Sequence, residues 1–464
     1  MHGITLTKAP ADWEILQHRD GFAPVFLAGT YQVHPAAIDV GVESAKPMAR
    51  VMREDDNTAV VPWTYLDDCP GEHFSGTFSG TLMVPAGGLY RIETCLETKS
   101  TLPDLTWLYR GDCVLHLGIG NIFILAGQSN SAGYGKDSAC DAPDLMVHLF
   151  RNRSRWDLAT HPMNESTAAG SLPNEEMGIP GVSPYLSFGK NFSRISGLPV
   201  GLIQTTLGGS PISRWLPETG DLYQNLLDKI ALTGGSYAGV LWYQGCSDAD
   251  ADNAPLYLER FCSMVKDLRS RLGYEIPFFT FQLNRFLDVP GDEYWGMIRE
   301  AQRKATKLLP KVWILPTTNC ALSDAIHNCA HANMQLGEKL AKLCGHILCG
   351  QEPFFAPELE SVSHAEEKVL CLTYRNVRLG FSLYSGMGSK SGFTLTDAEG
   401  EIEITRIRAN REDRNHIYLY LSRAPKNQAE LSFAWQADPV EHPPVDEVTF
   451  LPPLSFYHLP LSLC

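Results

Sequence analysis

The decisive stretch of this chain reads Asn121-Ile-Phe-Ile-Leu-Ala126, followed by Gly127-Gln-Ser-Asn130. A mostly apolar run that ends abruptly at a glycine is typical of a buried strand that turns sharply into a helix. Such a turn lifts one side chain above the sheet and leaves backbone N–H groups free around it. Ser129 therefore occupies the position of a serine nucleophile. A serine after a strand is also a common helix N-cap, so other parts of the sequence have to decide between the two roles.

Strand-like apolar runs alternate with amphipathic helical stretches through the middle of the chain. Strands are predicted over residues 122–126, 199–204, 239–243, 277–282 and 312–316. Helices are predicted over residues 184–195, 221–232, 254–272, 294–309 and 333–344. This alternation predicts a doubly wound, flavodoxin-like α/β fold, in which helices cover both faces of a five-stranded parallel sheet.

Short strands and turns dominate the sequence on both sides of this α/β segment. Residues 1–119 are predicted to form an N-terminal all-β domain, either a β-sandwich or a jelly-roll-like module. Residues 351–464 are predicted to form a C-terminal β-sandwich domain, with the α/β domain over residues 120–350 between them. The sequence therefore predicts three domains, with the serine in the central one.

The composition limits the partners that the protein can have. The chain has 464 residues, with 38 Lys and Arg against 53 Asp and Glu, which gives a net charge of −15. Because nucleic acids and anionic membranes attract cationic surfaces, neither is expected as a partner. The first residues do not resemble a signal peptide and no apolar run has membrane-spanning length, so a cytoplasmic location is expected. The sequence leaves a homo-oligomer open.

Neither a metal nor an organic cofactor is expected. The twelve cysteines include no C-x-x-C pair, so they are predicted to be free thiols rather than zinc ligands. Gly118-Ile-Gly120 lacks the third glycine and the preceding strand of a dinucleotide-binding turn. Any chemistry at Ser129 is therefore expected to use side chains and backbone groups alone.

Polar residues follow the predicted strands at the points where the strands end. In parallel α/β sheets, ligands bind beyond the carboxyl ends of the strands. The residues placed there are Gln128, Ser129, Asn130, Gly208, Gly209, Ser210, Gln244, Gly245, Gln282, Asp324 and His327. We therefore expect a nucleophile, a base with its carboxylate, and several hydrogen-bond donors to meet at one edge of the sheet.

Four sequence blocks, in this order, resemble the SGNH hydrolases of the sialate O-acetylesterase type. The blocks are Gly127-Gln-Ser-Asn130, Gly208-Gly-Ser-Pro-Ile-Ser-Arg-Trp215, Trp242-Tyr-Gln-Gly245 and Asp324-Ala-Ile-His327. The resemblance implies a carbohydrate O-acetylesterase, a carboxylic ester hydrolase acting on acetylated mono- or oligosaccharides such as sialic acids or plant oligosaccharides. Two alternatives stay open, a hydrolase of small non-sugar acyl esters and a catalytically inactive carbohydrate-binding protein.

The resemblance also implies a role for each residue of a catalytic triad. Ser129 would be the nucleophile, His327 the base, and Asp324 the carboxylate that orients the imidazole. Serine is a poor nucleophile until a base removes its proton, which explains why this chemistry needs the histidine. His331 lies four residues further on and is the alternative base, although the D-x-x-H spacing favours His327.

An oxyanion hole is implied by the first three blocks. Its donors would be the backbone N–H of Ser129, a backbone N–H in the Gly208-Gly209 turn, and the side-chain amide of Gln244. Gly209 is the first choice within the turn, because the spacing alone does not separate it from Gly208. Glycine allows the close approach that a backbone donor requires.

Five further residues are predicted to contact the substrate: Gln128, Asn130, Arg214, Trp215 and Gln282. Each of the last two has an alternative role, since Trp215 could serve in packing and Gln282 could be a hydrogen-bonded residue at a strand end. Arg299, on a predicted helix, is interpreted as structural.

The third block departs from the sialate-esterase pattern. Glutamine is commonly followed there by Gly-Glu, whereas this chain reads Gln244-Gly245-Cys246. The expected carboxylate is thus missing from the block. Asp248 or Asp250 could replace it, or the substrate of this protein does not require it.

Overall fold

The computed structural model describes residues 2–101, 106–165, 173, 175–176, 178–287, 292–383, 391–410, 412–426, 428–439 and 442–461. The first elements are β1 (Gly3–Lys8), β2 (Ile15–Gln17), β3 (Phe22–Gln32), α1 (Pro35–Asp39), β4 (Val42–Arg53), β5 (Ala59–Tyr65), β6 (Asp67–Pro70), β7 (Ser75–Pro85) and β8 (Gly87–Ser100). The middle elements are β9 (Thr106–Gly127), α2 (Ser129–Ala132), β10 (Val147–Phe150), β11 (Trp156–Leu158), α3 (Pro184–Ser196), β12 (Val200–Gln204), α4 (Asp221–Leu232), β13 (Gly239–Tyr243), α5 (Tyr257–Leu272), β14 (Phe278–Phe281), α6 (Asp292–Leu308), β15 (Val312–Leu315) and α7 (Ala330–Cys349). The last elements are β16 (Glu358–Glu366), β17 (Val369–Arg375), β18 (Phe381–Ser382), β19 (Phe393–Asp397), β20 (Gly400–Ile402), β21 (Ile404–Ala409), β22 (His416–Leu421), β23 (Glu430–Phe433), β24 (Val445–Asp446) and β25 (Phe456–Pro460).

A parallel sheet lies at the centre of the molecule, in the strand order β10, β12, β9, β13, β14 and β15. The five strands predicted from the sequence are neighbours in it, but the predicted number of strands was too small. Within the described residues, β10 adds a sixth parallel strand, and β11 pairs antiparallel with β10 at the edge. The centre of the chain is thus a mixed α/β sheet.

Helices cover both faces of this sheet, as predicted. Side chains alternate along β9, so Phe123 and Leu125 face α3 and α7, while Ile124 and Ala126 face α4, α5 and α6. All four side chains are fully buried. Among the described residues, no helix combines the length and apolar character needed to cross a membrane.

Strand β9 is shared between the central sheet and the N-terminal β-structure. Its first part pairs antiparallel with β8, and residues 121–127 pair in parallel with β12 and β13. The predicted boundary between residues 119 and 120 therefore falls inside a continuous strand, and the division into domains stays a prediction. Strand β4 pairs with β8 and β5, and β2 pairs with β9, so these strands belong to the same sheet as β9. The other N-terminal strands form a second sheet in the order β1, β3, β7 and β6.

The C-terminal part contains two four-stranded antiparallel sheets and a short β18–β24 pair. One sheet has the order β16, β17, β22 and β21, and the other has the order β20, β19, β23 and β25. Leu372 and Leu419 of the first sheet share one buried cluster with Leu395 and Leu431 of the second. The C-terminal core is thus formed between two packed sheets, as in a β-sandwich.

Arg299 and Gln282 join the central sheet to the C-terminal part. Arg299, on α6, is fully buried and donates hydrogen bonds to four carbonyl groups. These belong to Leu283, Asn284, Ala434 and Gln436. The Gln282 side chain donates to the carbonyl of Ser455 and accepts from its N–H, both at 2.8 Å. Arg299 is therefore structural, as interpreted from the sequence, whereas Gln282 is not placed to contact a substrate.

Replacing Arg299 is expected to destabilise the protein. Arg299→Leu would leave four buried carbonyl groups without this donor, and we expect a loss of about 3 kcal/mol or more. Urea unfolding followed by circular dichroism should show a clearly lower midpoint. Arg194→Ala is the matched control, because Arg194 is exposed and its nitrogen lies 4.0 Å from Asp144. Equal midpoints for the two variants would contradict the role given to Arg299.

Candidate active site

A cavity of about 550 Å³ lies beyond the carboxyl ends of β9, β12 and β13. Its lining comes from the turns after these three strands, from the segment around residue 176, and from the loop before α7. The lining residues are Gln128, Ser129, Tyr134, Glu175, Glu176, Gly178, Leu207, Gly208, Gly209, Arg214, Cys246, Ser247, Ile326 and His327. The predicted nucleophile, base and glycine turn therefore meet at one cavity.

The position of Ser129 follows from the backbone before it. Gly127 has φ of +124°, and a Cβ at this position would lie 2.3 Å from the carbonyl oxygen of Tyr243. Only glycine fits so close to the neighbouring strand. The Gln128 N–H then donates to the same carbonyl at 3.0 Å, and Ser129 begins the short helix α2. The tight turn predicted from the sequence thus places Ser129 at the cavity.

Gln128 holds the turn that follows β13. Its Oε1 accepts from the N–H groups of Gly245, at 3.0 Å, and Ser247, at 3.2 Å. Its Nε2 donates to the Ser247 hydroxyl at 3.2 Å. Gln128 lies at the cavity as predicted, and its side chain holds Gly245 and Ser247 in place.

Asp324 and His327 form a pair within one loop. The Asp324 Oδ2 lies 2.7 Å from the His327 Nδ1, while Oδ1 accepts from the N–H groups of Ile326 and His327. Partial burial opposes ionisation of Asp324, but these hydrogen bonds outweigh it and lower the pKa of the carboxyl. The carboxylate therefore holds one ring nitrogen and leaves the other available for proton transfer.

The alternative base, His331, has a different environment. Its Nδ1 lies 3.1 Å from Asp137, its side chain is exposed, and it is not among the lining residues. The ring of His327, in contrast, stacks on the ring of Tyr134, with centroids 4.7 Å apart. The geometry thus favours His327 over His331 as the base.

The two glycines after β12 differ in what their N–H groups can do. The Gly208 N–H donates to Glu176 at 2.5 Å, so this donor is occupied. Gly209 has φ of +65° and lines the cavity. Of these two glycines, Gly209 therefore has the more suitable geometry for an oxyanion donor.

Gln244 does not reach the cavity, contrary to its predicted role. Its side chain is fully buried, and its Nε2 donates to Asp248 and, at 3.1 Å, to the carbonyl of Ser210. Because an amide nitrogen carries two hydrogens, both donors are already used. In this arrangement Gln244 supports the glycine turn from behind and is not a direct oxyanion donor.

Arg214 lies at the cavity, as predicted for a substrate contact. Two of its three guanidinium nitrogens are held by Asp221, with Nε at 2.9 Å and Nη2 at 2.6 Å. This bidentate pairing fixes the orientation of the guanidinium and places a carboxylate beside its charge. Arg214 is thus a fixed part of the wall.

Asn130 and Trp215 are not brought to the cavity, contrary to prediction. The Asn130 side chain accepts from the Asn328 N–H at 2.9 Å and donates to the carbonyl of Ile326 at 3.3 Å. Trp215 is fully buried against Trp242. Asn130 therefore anchors the loop that carries His327, and Trp215 belongs to the core.

Cys246 occupies the position where the third block departs from its family pattern, and it lines the cavity. Burial raises the pKa of its thiol to about 12. Asp248 is buried against Gln244 and the Ile212 N–H, while Asp250 is exposed and bonded to Asn253. Since neither aspartate lines the cavity, neither replaces a carboxylate there.

Two acidic lining residues, Glu175 and Glu176, were not predicted from the sequence, and Tyr134 had no predicted role. Glu175 is exposed, whereas Glu176 is buried and accepts hydrogen bonds from Tyr134, Asn164 and Gly208. These glutamates lie outside any predicted helix or strand. An acidic pair in a stretch otherwise free of charge is the signal that could have identified them.

Comparison with known proteins agrees with the resemblance seen in the sequence of the central segment. Residues 119–346 match the family model of carbohydrate esterases described as sialic acid-specific acetylesterases. A probable carbohydrate esterase from Arabidopsis thaliana is 29% identical over 245 residues, which cover 48% of this chain and 88% of that protein. The crystal structure of a carbohydrate acetylesterase from Xanthomonas citri covers 98% of this chain and 99% of its own, with a TM-score of 0.65 and 20% identity. The latter likeness extends the shared fold to both flanking parts.

The thiol of Cys246 is expected to react slowly despite facing the cavity. Because the thiolate is the reactive form, a pKa of about 12 should slow alkylation by iodoacetamide at pH 8 by about 1000-fold relative to an ordinary exposed thiol. Cys140, which is exposed, is the internal control. Peptide mapping by mass spectrometry over time measures both rates in one sample. Similar rates at the two cysteines would show that the site of Cys246 is not as described.

Proposed function

We infer that Ser129 is the nucleophile of an acetylesterase, because residues 119–346 belong to the sialic acid-specific acetylesterase family of carbohydrate esterases. The resemblance predicted from the sequence is thereby confirmed, and the chain is a carbohydrate acetylesterase. The triad, the catalytic steps and the type of sugar are our proposal. The observation that carries it is the meeting of Ser129 with the Asp324–His327 pair at one cavity.

In the first step, the Ser129 hydroxyl attacks the acetyl carbonyl and its proton passes to the Nε2 of His327. Asp324 holds Nδ1 of the ring at 2.7 Å and stabilises the imidazolium that forms. When the tetrahedral intermediate collapses, the ester C–O bond breaks and His327 passes the proton to the leaving sugar oxygen, which becomes a hydroxyl. The products are the free sugar and an acetyl group on Ser129.

In the second step, water attacks the acetyl-enzyme with His327 again accepting the proton, and acetate leaves as Ser129 is regenerated. Both intermediates carry an oxyanion that needs fixed donors. We assign these donors to the backbone N–H groups of Ser129 and Gly209. Gln244 contributes indirectly, since it holds the carbonyl of Ser210 beside the turn.

The charges of the cavity favour an uncharged acetylated sugar over an acetylated sialic acid. Glu175 and Glu176 line it, and its one described arginine, Arg214, is already paired with Asp221. Residues 166–177 contain no Lys, Arg or His. A sialic acid carboxylate would thus find no unpaired arginine or lysine in the described lining and would be repelled by Glu175.

The two alternative functions remain distinguishable by experiment. A hydrolase of small non-sugar esters would use the same triad, so only substrate comparison separates it from a sugar esterase. An inactive carbohydrate-binding protein would not need an activated serine. The Asp324–His327 geometry favours the active enzyme, because the carboxylate orients the ring as a base requires.

Ser129→Ala is expected to abolish acetate release from acetylated sugars and from an aryl acetate, by at least about 1000-fold in kcat. A fluorophosphonate probe, which reacts with activated serines, should label the wild type at Ser129 and leave the variant unlabelled. Ser361→Ala is the matched control, since Ser361 is exposed on β16, far along the chain in the C-terminal part.

Acetate release by Ser129→Ala at more than a few per cent of the wild-type rate would contradict the assignment of the nucleophile. An unlabelled wild type that releases no acetate would favour the inactive binding protein. Labelling together with activity on the aryl acetate alone would favour the hydrolase of small non-sugar esters.

Substrate charge gives a separate prediction. The wild type should have a higher kcat/KM for acetylated xylo- or manno-oligosaccharides than for acetylated sialic acids, measured as acetate release. Glu175→Gln should raise kcat/KM for the sialic acids about fivefold, since removing one nearby like charge is worth about 1 kcal/mol. The values for uncharged sugars should stay within about twofold of the wild type, since no charge is involved. A wild-type preference for sialic acids would contradict this prediction.

A further inference from the structure

Glu176 lies in the cavity wall but has no part in the proposed chemical steps. It is 7% exposed, and its Oε1 accepts from the Tyr134 hydroxyl at 2.8 Å and from the Gly208 N–H at 2.5 Å. Its Oε2 accepts from the Asn164 amide. Burial raises the pKa of the Glu176 carboxyl, while these hydrogen bonds act in the opposite direction. A buried carboxylate is costly unless donors surround it, so the site is built around this group.

The first link runs from Glu176 to the glycine turn. A Cβ on Gly208 would lie 1.9 Å from the Glu176 Oε1, so the carboxylate packs directly on the backbone at this residue. Leu207, one residue earlier, donates its N–H to the carbonyl of Gly127 at 3.0 Å. These contacts hold the consecutive residues 207 and 208, and Gly209 follows them at the cavity.

The second link runs from Glu176 to the histidine. The Tyr134 hydroxyl is held by Glu176, and the ring of Tyr134 stacks on His327 with an interplanar angle of 28°. Asp324 holds His327 through Nδ1, and Tyr134 supports the face of the ring. Glu176 is therefore connected to both the base and the oxyanion turn.

Further contacts hold the chain after Glu176 and its partner Asn164. The N–H of Gly181 donates to the carbonyl of Gly133 at 2.6 Å, and the N–H of Val182 donates to that of Gly135 at 2.8 Å. Asn164 is fixed in turn, because its Oδ1 accepts from Asn152 at 2.8 Å. The carboxylate is thus part of a connected network and does not depend on a single contact.

We propose that Glu176 is a positioning residue, whose carboxylate fixes the Gly208-Gly209 turn and the Tyr134 ring and so aligns the oxyanion donor with His327. The proposal rests on the proposed esterase function. It gives a role in catalysis to a residue that lies outside the four sequence blocks. A misplacement of about 1 Å at such a site can cost about 100-fold in rate, which sets the scale of the expected effect.

Three variants test the proposal through kcat and KM for an aryl acetate. Glu176→Ala removes all three contacts and should lower kcat about 100-fold. Glu176→Gln keeps one acceptor oxygen for Tyr134 and Gly208, so it should recover activity to within about tenfold of the wild type. Tyr134→Phe keeps the ring on His327 but loses the hydroxyl, and it should lower kcat less than Glu176→Ala does. For all three, KM should change by less than about threefold.

Glu358→Gln is the matched control for the general effect of altering a buried glutamate. Glu358 is 6% exposed and lies in the C-terminal part, where it pairs with Lys307 and Arg375. We expect it to lower the midpoint of urea unfolding without lowering kcat. Urea midpoints for all variants separate a loss of folding from a loss of alignment between the oxyanion donor and His327. If Glu176→Ala does not fold, the kcat values of Glu176→Gln and Tyr134→Phe test the proposal.

The outcomes are distinct. A large fall in kcat for Glu176→Ala, partial recovery in Glu176→Gln and an unchanged kcat for Glu358→Gln would support the proposal. Wild-type kcat in Glu176→Ala, or a loss expressed in KM alone, would overturn it while leaving the esterase function intact. A wild type with neither acetate release nor labelling at Ser129 would overturn the proposed function, and the role of Glu176 with it.

Discussion

The register between β9 and β13 is the constraint on which the rest of the site depends. Gly127 pairs with Tyr243, and their backbones approach so closely that a Cβ on Gly127 would lie 2.3 Å from the Tyr243 oxygen. The chain then turns into α2, which places Ser129 beyond the sheet. The carbonyl of Gly127 also accepts from Leu207, so the same residue fixes the start of the glycine turn. One point on one strand thus sets the spacing between the proposed nucleophile and the turn that would stabilise its intermediate.

Much of the central sheet could be predicted because its strands are apolar and regularly separated by amphipathic helices. Strand β10 was missed because the polar His148 interrupts its short apolar run. This side chain is buried, and its ring nitrogens contact the carbonyls of Trp13 and Leu145. A partner 135 positions away along the chain is not visible in a local sequence pattern. The strand forms because tertiary contacts give hydrogen-bond partners to His148, a polar residue that a buried strand would otherwise disfavour.

In the candidate site too, contacts between residues close in sequence could be predicted, whereas contacts between distant residues could not. The pairing of Asp324 with His327 could be predicted, because a spacing of three residues brings the two side chains together within one loop. The ends of strands also located the correct edge of the sheet. They did not reveal the direction of each side chain, so Asn130, Trp215 and Gln282 were assigned to substrate, although each is buried against protein. Gln244 was misplaced for the same reason.

Glu176 shows what sequence blocks leave out. Its contacts come from residues 134, 164 and 208, which lie before and after it on separate loops. Nothing in the spacing of these residues relates them to a catalytic role. The residues that carry a reaction are often found in short motifs, whereas those that hold them in place are defined by the fold. The contacts of the cavity wall are therefore a part of the site that the short motifs do not contain.

The hydrogen bonds that Arg299 and Gln282 make with residues 434–455 link the stability of the hydrolase segment to the C-terminal part. A hydrolase segment transferred without the C-terminal sheets would carry a buried guanidinium that had lost two of its carbonyl partners. The C-terminal part is thus a structural component of the enzyme, because it supplies hydrogen-bond partners to buried side chains of the central segment. A different C-terminal part would preserve the packing around Arg299 only if it returned carbonyl groups to the same two places.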